Sequence, residues 1–151
     1  MTIFLGTHQN RLDAKGRVSI PAPFRAALKS GDAPARLVLR PSHKHACIEG
    51  WPEDVFQALA APLERLDLFS EEHDDLAATL YADAYPTDAD REGRIVLPAN
   101  LAAHAGLSES VVFMGLGRTF QIWEPAAAEQ RRADARARAK AGRMTLPGVS
   151  P

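Results

Sequence analysis

The chain has little thiol chemistry, with Cys47 its only cysteine. No intrachain disulfide can form, which fits a reducing compartment. No apolar run approaches the ~18 residues of a membrane span. No cleavable leader is expected before Met1-Thr2-Ile3, so a cytoplasmic location is the expectation. The common catalytic strings are missing as well: there is no GxSxG, no P-loop and no GxGxxG. Nor is there much net charge of either sign. The formal value is −1 and the isoelectric point is near 6.5, so the chain as a whole is not a uniformly basic nucleic-acid binder.

The distribution of charge says more than its sum. Arg11, Lys15, Arg17 and Arg25 surround a single acid, Asp13. Between Glu64 and Asp83 there are seven acids and one Arg, and between Ala126 and Arg143 six basic residues and two acids. A basic head, an acidic middle and a basic tail cancel on paper and can form separate faces in space.

The strongest feature is an internal repeat. Asp13-Ala-Lys-Gly-Arg17 continues into Val18-Ser-Ile-Pro21; Asp90-Arg-Glu-Gly-Arg94 continues into Ile95-Val-Leu-Pro98. Asp, Gly, Arg, a β-branched residue, an aliphatic and a proline recur at one constant offset. With small gaps the match extends from Arg36-Leu-Val-Leu39 to Ser110-Val-Val-Phe113, and from Cys47-Ile-Glu-Gly-Trp51 to Thr119-Phe-Gln-Ile-Trp123. The unit is a turn, a short helix, a hairpin and a terminal Trp. One unit alone, at ~45 residues, buries too little to be stable, so two should pack about a pseudo-twofold.

In order, Thr2 to Leu12 reads as a strand. In the tight turn that follows, Asp13 accepts from backbone amides and Gly16 tolerates positive φ. Arg17–Ile20 is a half-buried strand, Pro23–Leu28 a helix stopped by Ser30-Gly31-Asp32, and 36–40 with 46–50 a hairpin. Val55, Phe56, Leu59, Leu63 and Leu66 recur at helical spacing, with Pro62 expected to kink or break the helix. Ser70 is the expected N-cap of a third helix with Leu76, Leu80 and Tyr81 as its stripe. The second half repeats the plan: strand 84–89, the turn built by Asp90 and Gly93, strand 94–97, helix 99–105 and a hairpin of 110–115 with 118–123. From Pro125 the chain is Ala- and Arg-rich, strongly helical and almost without an apolar stripe. Residues 145–151 read as a disordered end. The divisions are 1–52 for the first repeat, 53–80 for an acidic helical linker, 81–124 for the second repeat and 125–151 for the tail.

The duplicated Asp-x-x-x-Arg turns, with Phe4-Leu-Gly and Asp13-Ala-Lys-Gly-Arg-Val-Ser-Ile-Pro21, resemble the MraZ family over roughly residues 1–124. That family is built from two tandem SpoVT/AbrB-type swapped-hairpin units. The resemblance implies an α+β fold, with a pseudo-twofold, β-barrel-like core and flanking helices. It implies a homo-oligomeric ring of about octamer size on repeated sites in double-stranded promoter DNA. It further implies repression of the family's own operon for cell division and wall synthesis, at the nucleoid. The DNA-facing residues are then Arg11, Lys15, Arg17, Arg91 and Arg94, and the turn-structuring ones Asp13, Gly16, Asp90 and Gly93. A related barrel fold hosts a self-processing decarboxylase that needs a Gly-Ser dipeptide; this sequence has none.

Competing readings are weaker. Arg17 and Arg94 also suit structural pairs with Asp13 and Asp90, and Arg25 an ordinary surface charge. His43, His45 and Cys47 alternate as metal ligands would on one strand face, but they follow Pro41 in a turn-like stretch with no fourth ligand near. Asp13, Asp90, Glu49 and Glu124 sit at turns and strand ends, where structure explains them. No enzyme activity, cofactor, metal or small-molecule substrate is expected. The alternative function is an antitoxin-like interaction module whose helices hold a protein partner.

Overall fold

A computed structural model describes residues 3–29, 31 and 33–149. The elements run β1 (Thr7–Arg11), β2 (Arg17–Ser19), α1 (Ala22–Leu28), β3 (Arg36–Pro41), β4 (Ile48–Pro52), α2 (Glu53–Gln57), α3 (Ala60–Leu63) and α4 (Glu71–Ala77). A π-helical turn, Ala78–Ala82, prolongs α4. Then follow β5 (Tyr85–Asp88), β6 (Arg94–Val96), α5 (Ala99–His104), β7 (Ser110–Gly115), β8 (Phe120–Trp123) and α6 (Pro125–Ala141). The fold is mixed α+β with antiparallel strand pairing throughout.

The six-stranded sheet has the order β1-β7-β8-β4-β3-β5, and β2 pairs with β6 in a separate ribbon. Exchanging the halves turns that order into its own mirror sequence. Register obeys the same exchange: Gln9 opposes Val112 where Pro86 opposes Val38, and Arg17 opposes Val96 where Arg94 opposes Ser19. The first strand of each half therefore lies on the hairpin of the other half. Phe24 of α1 follows the same rule, meeting Phe113 and Phe120 of the second hairpin at ring-centroid distances of 6.2 and 5.4 Å. Neither half can close its own sheet, which is why both copies are needed.

Strand alternation divides the sheet. One face carries Leu37, Leu39, Ile48, Val111, Phe113, Phe120 and Ile122, and packs with Val18, Ile95, Phe24 and Leu101 from the ribbon and the short helices into the main core. The opposite face is covered twice. Near β3 and β4 it meets the linker helices, where Trp51, Phe56 and Tyr81 stack edge to face. Near β7 it meets α6, where Val112, Met114, Trp123, Cys47 and Ala128 form a second cluster.

Several expectations are corrected. The sheet is open, with β1 and β5 as its edges, so among the described residues no closed barrel forms. Regular pairing of the first strand starts at Thr7 rather than Thr2; Phe4 makes an isolated bridge to Gly117 because its buried ring is drawn into the core. Thr2 lies outside the described residues, as do Ser30 and Asp32, on which the helix stop was placed. The helix expected through Leu66 breaks at Ala58–Leu59, ahead of Pro62, whose missing N–H leaves the Ala58 carbonyl without a helical donor. Ser70 does cap α4, its Oγ accepting from the His73 amide at 3.1 Å. At the end of the chain, Val149 N donates to Leu146 O at 3.2 Å in an exposed turn. Ser150 and Pro151 lie outside the described residues.

Candidate functional site

The two Asp-x-x-x-Arg turns have one architecture. Asp13 Oδ1 accepts from the amides of Lys15 (2.9 Å) and Arg17 (2.8 Å), while Oδ2 accepts from Arg17 Nε at 2.8 Å. Asp90 Oδ1 accepts from the amides of Glu92 and Arg94, both 2.9 Å, and Oδ2 from Arg94 Nε at 3.0 Å. Gly16 and Gly93 close the turns at φ +80° and +77°, where a side chain would be strained. Their carbonyls then serve the opposite half: Gly16 O accepts from Leu97 N at 2.8 Å, and Gly93 O from Ile20 N at 2.9 Å. Turn and ribbon are thus one hydrogen-bonded unit shared between the repeats.

Alternation along the ribbon sends Val18 and Ile95 inward and leaves Arg17, Ser19, Arg94 and Val96 on the outer face. Arg17 and Arg94 sit diagonally on that face, two positions apart in register. Their pairs with the aspartates are half-exposed, so they contribute geometry more than stability. Each Asp orients its guanidinium through Nε, leaving the terminal nitrogens of Arg17 to donate outward. Lys15 and Arg91 stand exposed at the turn tips and make no ion pair among the described residues. Arg11 is placed differently. It ends β1 opposite Ser110, exposed, on the side of the strand away from Asn10, whose amide donates to the Ser19 carbonyl. The structure therefore places Arg17 and Arg94 on one ribbon face, Lys15 and Arg91 at the turns at its two ends, and Arg11 on the other face of the sheet.

The turns differ in charge. Glu92 stands where the first turn has Lys15, and its carboxylate takes Arg94 Nη2 at 3.3 Å. Arg94 is therefore held by two acids, Arg17 by one. Arg25 partly offsets this. It reaches from α1 across the second turn, its guanidinium 3.4 Å from the Glu92 carbonyl, and its stem fills the space in which a Gly93 side chain would sit. Arg25 is expected from its place on the short helix to be an ordinary surface charge; its repeat counterpart is Ala102, and its contact with the turn crosses between halves.

The Arg17 amide, with further help from its guanidinium and the Lys15 amide, holds the Asp13 carboxyl below the usual range against the opposing effect of burial. The Arg94 amide, its guanidinium and the Glu92 amide do the same for Asp90. Both acids are stronger folded than unfolded. Their contribution is complete above the ordinary carboxylate range and is lost as pH falls through the lower folded value. The stability difference between the native chain and Asp13→Asn/Asp90→Asn should therefore be constant near neutrality and shrink between about pH 5 and pH 2 in thermal melts. Asp13→Ala, which removes every acceptor, should melt lower than Asp13→Asn.

The His43, His45 and Cys47 stretch is not a single face. His43 is exposed, while Cys47 is buried, its thiol pushed up to about 12 by burial and by Glu49. His45 leans on Trp123 at 5.7 Å, its basicity lowered by burial and then by Arg131 of α6. No group of three His, Cys, Asp or Glu side chains among the described residues is arranged to hold a metal.

With this duplicated geometry in view, comparison with known proteins is decisive. A family model described as "MraZ protein, putative antitoxin-like" matches residues 3–78 and 80–148. The chain belongs to the MraZ family. A Transcriptional regulator MraZ from Gluconacetobacter diazotrophicus is 67% identical over 149 residues, covering 97% of this chain and 93% of its own. One from Gluconobacter oxydans is 66% identical over 142 residues (93% and 87%), and one from Rhodospirillum rubrum 41% identical over 134 residues (87% and 86%).

The second MraZ region includes α6, and so does the internal symmetry. The helix after β4 and the helix after β8 both follow a Trp whose indole N–H is held by the side chain two residues earlier. Trp51 Nε1 donates to Glu49 Oε1 at 3.1 Å and Trp123 Nε1 to Gln121 Oε1 at 2.8 Å. Both helices cover the same sheet face, so α6 is the counterpart of the linker helix rather than an appendage. No helix among the described residues is long and apolar enough to cross a membrane.

Proposed function

We propose that this MraZ chain is a sequence-specific transcriptional regulator that grips double-stranded promoter DNA with the outer face of the β2–β6 ribbon. The observation that carries the reading is the pair of matching turns that aim Arg17 and Arg94 outward from one rigid ribbon. A guanidinium oriented through Nε keeps its terminal nitrogens for the O6/N7 edge of guanine, and Lys15 and Arg91 at the tips suit phosphates. The names of the MraZ relatives agree with a regulator. The strand exchange between halves agrees with tandem swapped-hairpin units of SpoVT/AbrB type.

In this reading several copies form a ring and engage repeated sites upstream of the chain's own operon, repressing genes of division and wall synthesis at the nucleoid. Multivalency is needed because each ribbon is only weakly basic. Asp13, Asp90 and Glu92 offset much of its charge. Arg11, off the ribbon face, contacts backbone at the flank. A gel shift with the duplex just upstream of the gene, at several salt concentrations, tests the reading. Binding should exceed that of a scrambled duplex and weaken steeply with salt, since each neutralised phosphate adds about 0.9 to the log–log slope. Equal binding to both duplexes would refute it. A stoichiometric protein partner with no DNA shift would support the antitoxin-like alternative.

The charge difference between the turns gives a gain-of-function test. Glu92→Lys copies Lys15 into the second turn, frees Arg94 Nη2 and adds a tip cation. Duplex affinity should rise severalfold at low salt, with a steeper salt slope. Unchanged affinity would mean that the second turn does not face DNA.

A further inference from the structure

The densest run of cations in the chain is not on the ribbon. It lies on α6, on the opposite face of the six-stranded sheet. Arg132, Arg136 and Lys140 are exposed and follow one another at four-residue intervals, so they form a single line along the helix, ~6 Å between successive members. Among the described residues none of them makes an ion pair. The helix carries two acids: Glu129, exposed three residues before Arg132, and Asp134, which is occupied by the Gln130 amide at 2.8 Å. At one end the line borders a groove of about 400 Å³ between α6 and the β1–β7 edge, lined by Arg131, Arg132 and Arg136 over Gly6, Gly115 and Met114. At the other end Arg143 is held at φ +46°, a conformation side chains avoid, by hydrogen bonds from the Arg143 amide to Lys140 O (3.3 Å) and from the Met144 amide to Ala139 O (3.0 Å).

Helix chemistry alone does not account for this line. Cations in the last turn, such as Arg138 and Lys140, answer the C-terminal end of the helix dipole, but Arg131, Arg132 and Arg136 are too far from it. The helix that occupies the equivalent place in the first half, α2, is acidic instead, with Glu53 and Asp54 in its first turn and no basic residue in its last. The two halves of this sheet face have thus diverged to opposite charge. One occupant to consider is the acidic helix of a second copy. Exposed ion pairs are individually weak and screened by salt, too little to hold two copies by themselves. A duplex, by contrast, rewards every neutralised phosphate with counterion release.

We propose that the Arg132–Arg136–Lys140 line is a second duplex-binding surface that contacts phosphates alone. It adds affinity without sequence preference, on the face opposite the ribbon, so one assembly can hold two DNA segments. The inference rests on the DNA-binding reading, but its test separates the two. The full-length chain and Arg132→Glu/Arg136→Glu/Lys140→Glu are titrated with the upstream duplex and with a scrambled duplex of equal length, over a range of salt, and sedimentation is recorded for both. The triple variant should bind the scrambled duplex at least tenfold more weakly at low salt, its salt slope should fall by about 3, and the preference for the upstream duplex should persist. Unchanged scrambled-duplex affinity and slope overturn the surface. So does loss of the native sedimentation behaviour with the DNA slope intact, which would assign the line to a neighbouring copy. A native chain that binds both duplexes equally defeats the specific-regulator reading, while the slope comparison still decides the α6 surface.

Discussion

Arg17→Ala should cost the chain its preference for the upstream duplex. A well-placed bidentate arginine is worth ~1–3 kcal/mol of discrimination, roughly five- to 150-fold per site, and a multivalent assembly loses it in every engaged copy. The geometry makes Arg17 the stronger member of the pair. Its Nε is committed to Asp13 and its two terminal nitrogens remain available, whereas Arg94 also spends Nη2 on Glu92. Arg94→Ala should therefore cost less than Arg17→Ala. Arg17→Lys separates charge from shape: the ammonium can meet a phosphate but cannot fork onto a guanine edge. It should keep scrambled-duplex affinity and lose the preference. Sedimentation should be unchanged, because Arg17 lies on the outer face of the ribbon while the inward Val18 holds the core. Undiminished preference in Arg17→Ala would remove Arg17 from the interface.

The repeat made much of this legible in advance. The turns, the strands at 17–20 and 94–97, both hairpins and α5 stand where the duplicated string places them, and the pairing of Asp with Arg in each turn was readable from spacing. Three things were not. The sheet stays open because its edge strands β1 and β5 are each supplied by the other half, a long-range exchange that periodicity does not encode. The contact of Arg25 with the second turn crosses halves in the same way. Alternation along β1 put Arg11 on the α6 side, although its closeness in sequence to Asp13 suggested one common patch. Arg40 ends the expected strand 36–40, and its repeat counterpart is Met114, a buried apolar position on β7.

That substitution leads to the largest expected effect on stability. Arg40 is 1% exposed. Its guanidinium is clasped by the Glu49 carboxylate and donates from Nη2 to the carbonyl of Thr79 in the π-helical turn at 2.9 Å, while Nε has no partner among the described residues. Removing one member of a buried pair strands the other charge and costs ~3–5 kcal/mol; replacing both by apolar or neutral groups of similar size is often neutral or stabilising. Glu49→Gln should therefore lower the melting temperature by roughly ten degrees. Arg40→Met should cost less, because Glu49 is partly open to water and keeps its bond to Trp51. Arg40→Met/Glu49→Gln writes the second half's own solution, Met114 with Gln121, into the first, and should restore most of the lost stability in a double-mutant cycle. The Thr79 carbonyl would still lack its donor, so the linker should become more open to protease even as the melting temperature recovers. A double variant no more stable than Glu49→Gln would place the value of Arg40 in the clasp on Thr79, making it a tether for the acidic linker rather than a partner for Glu49.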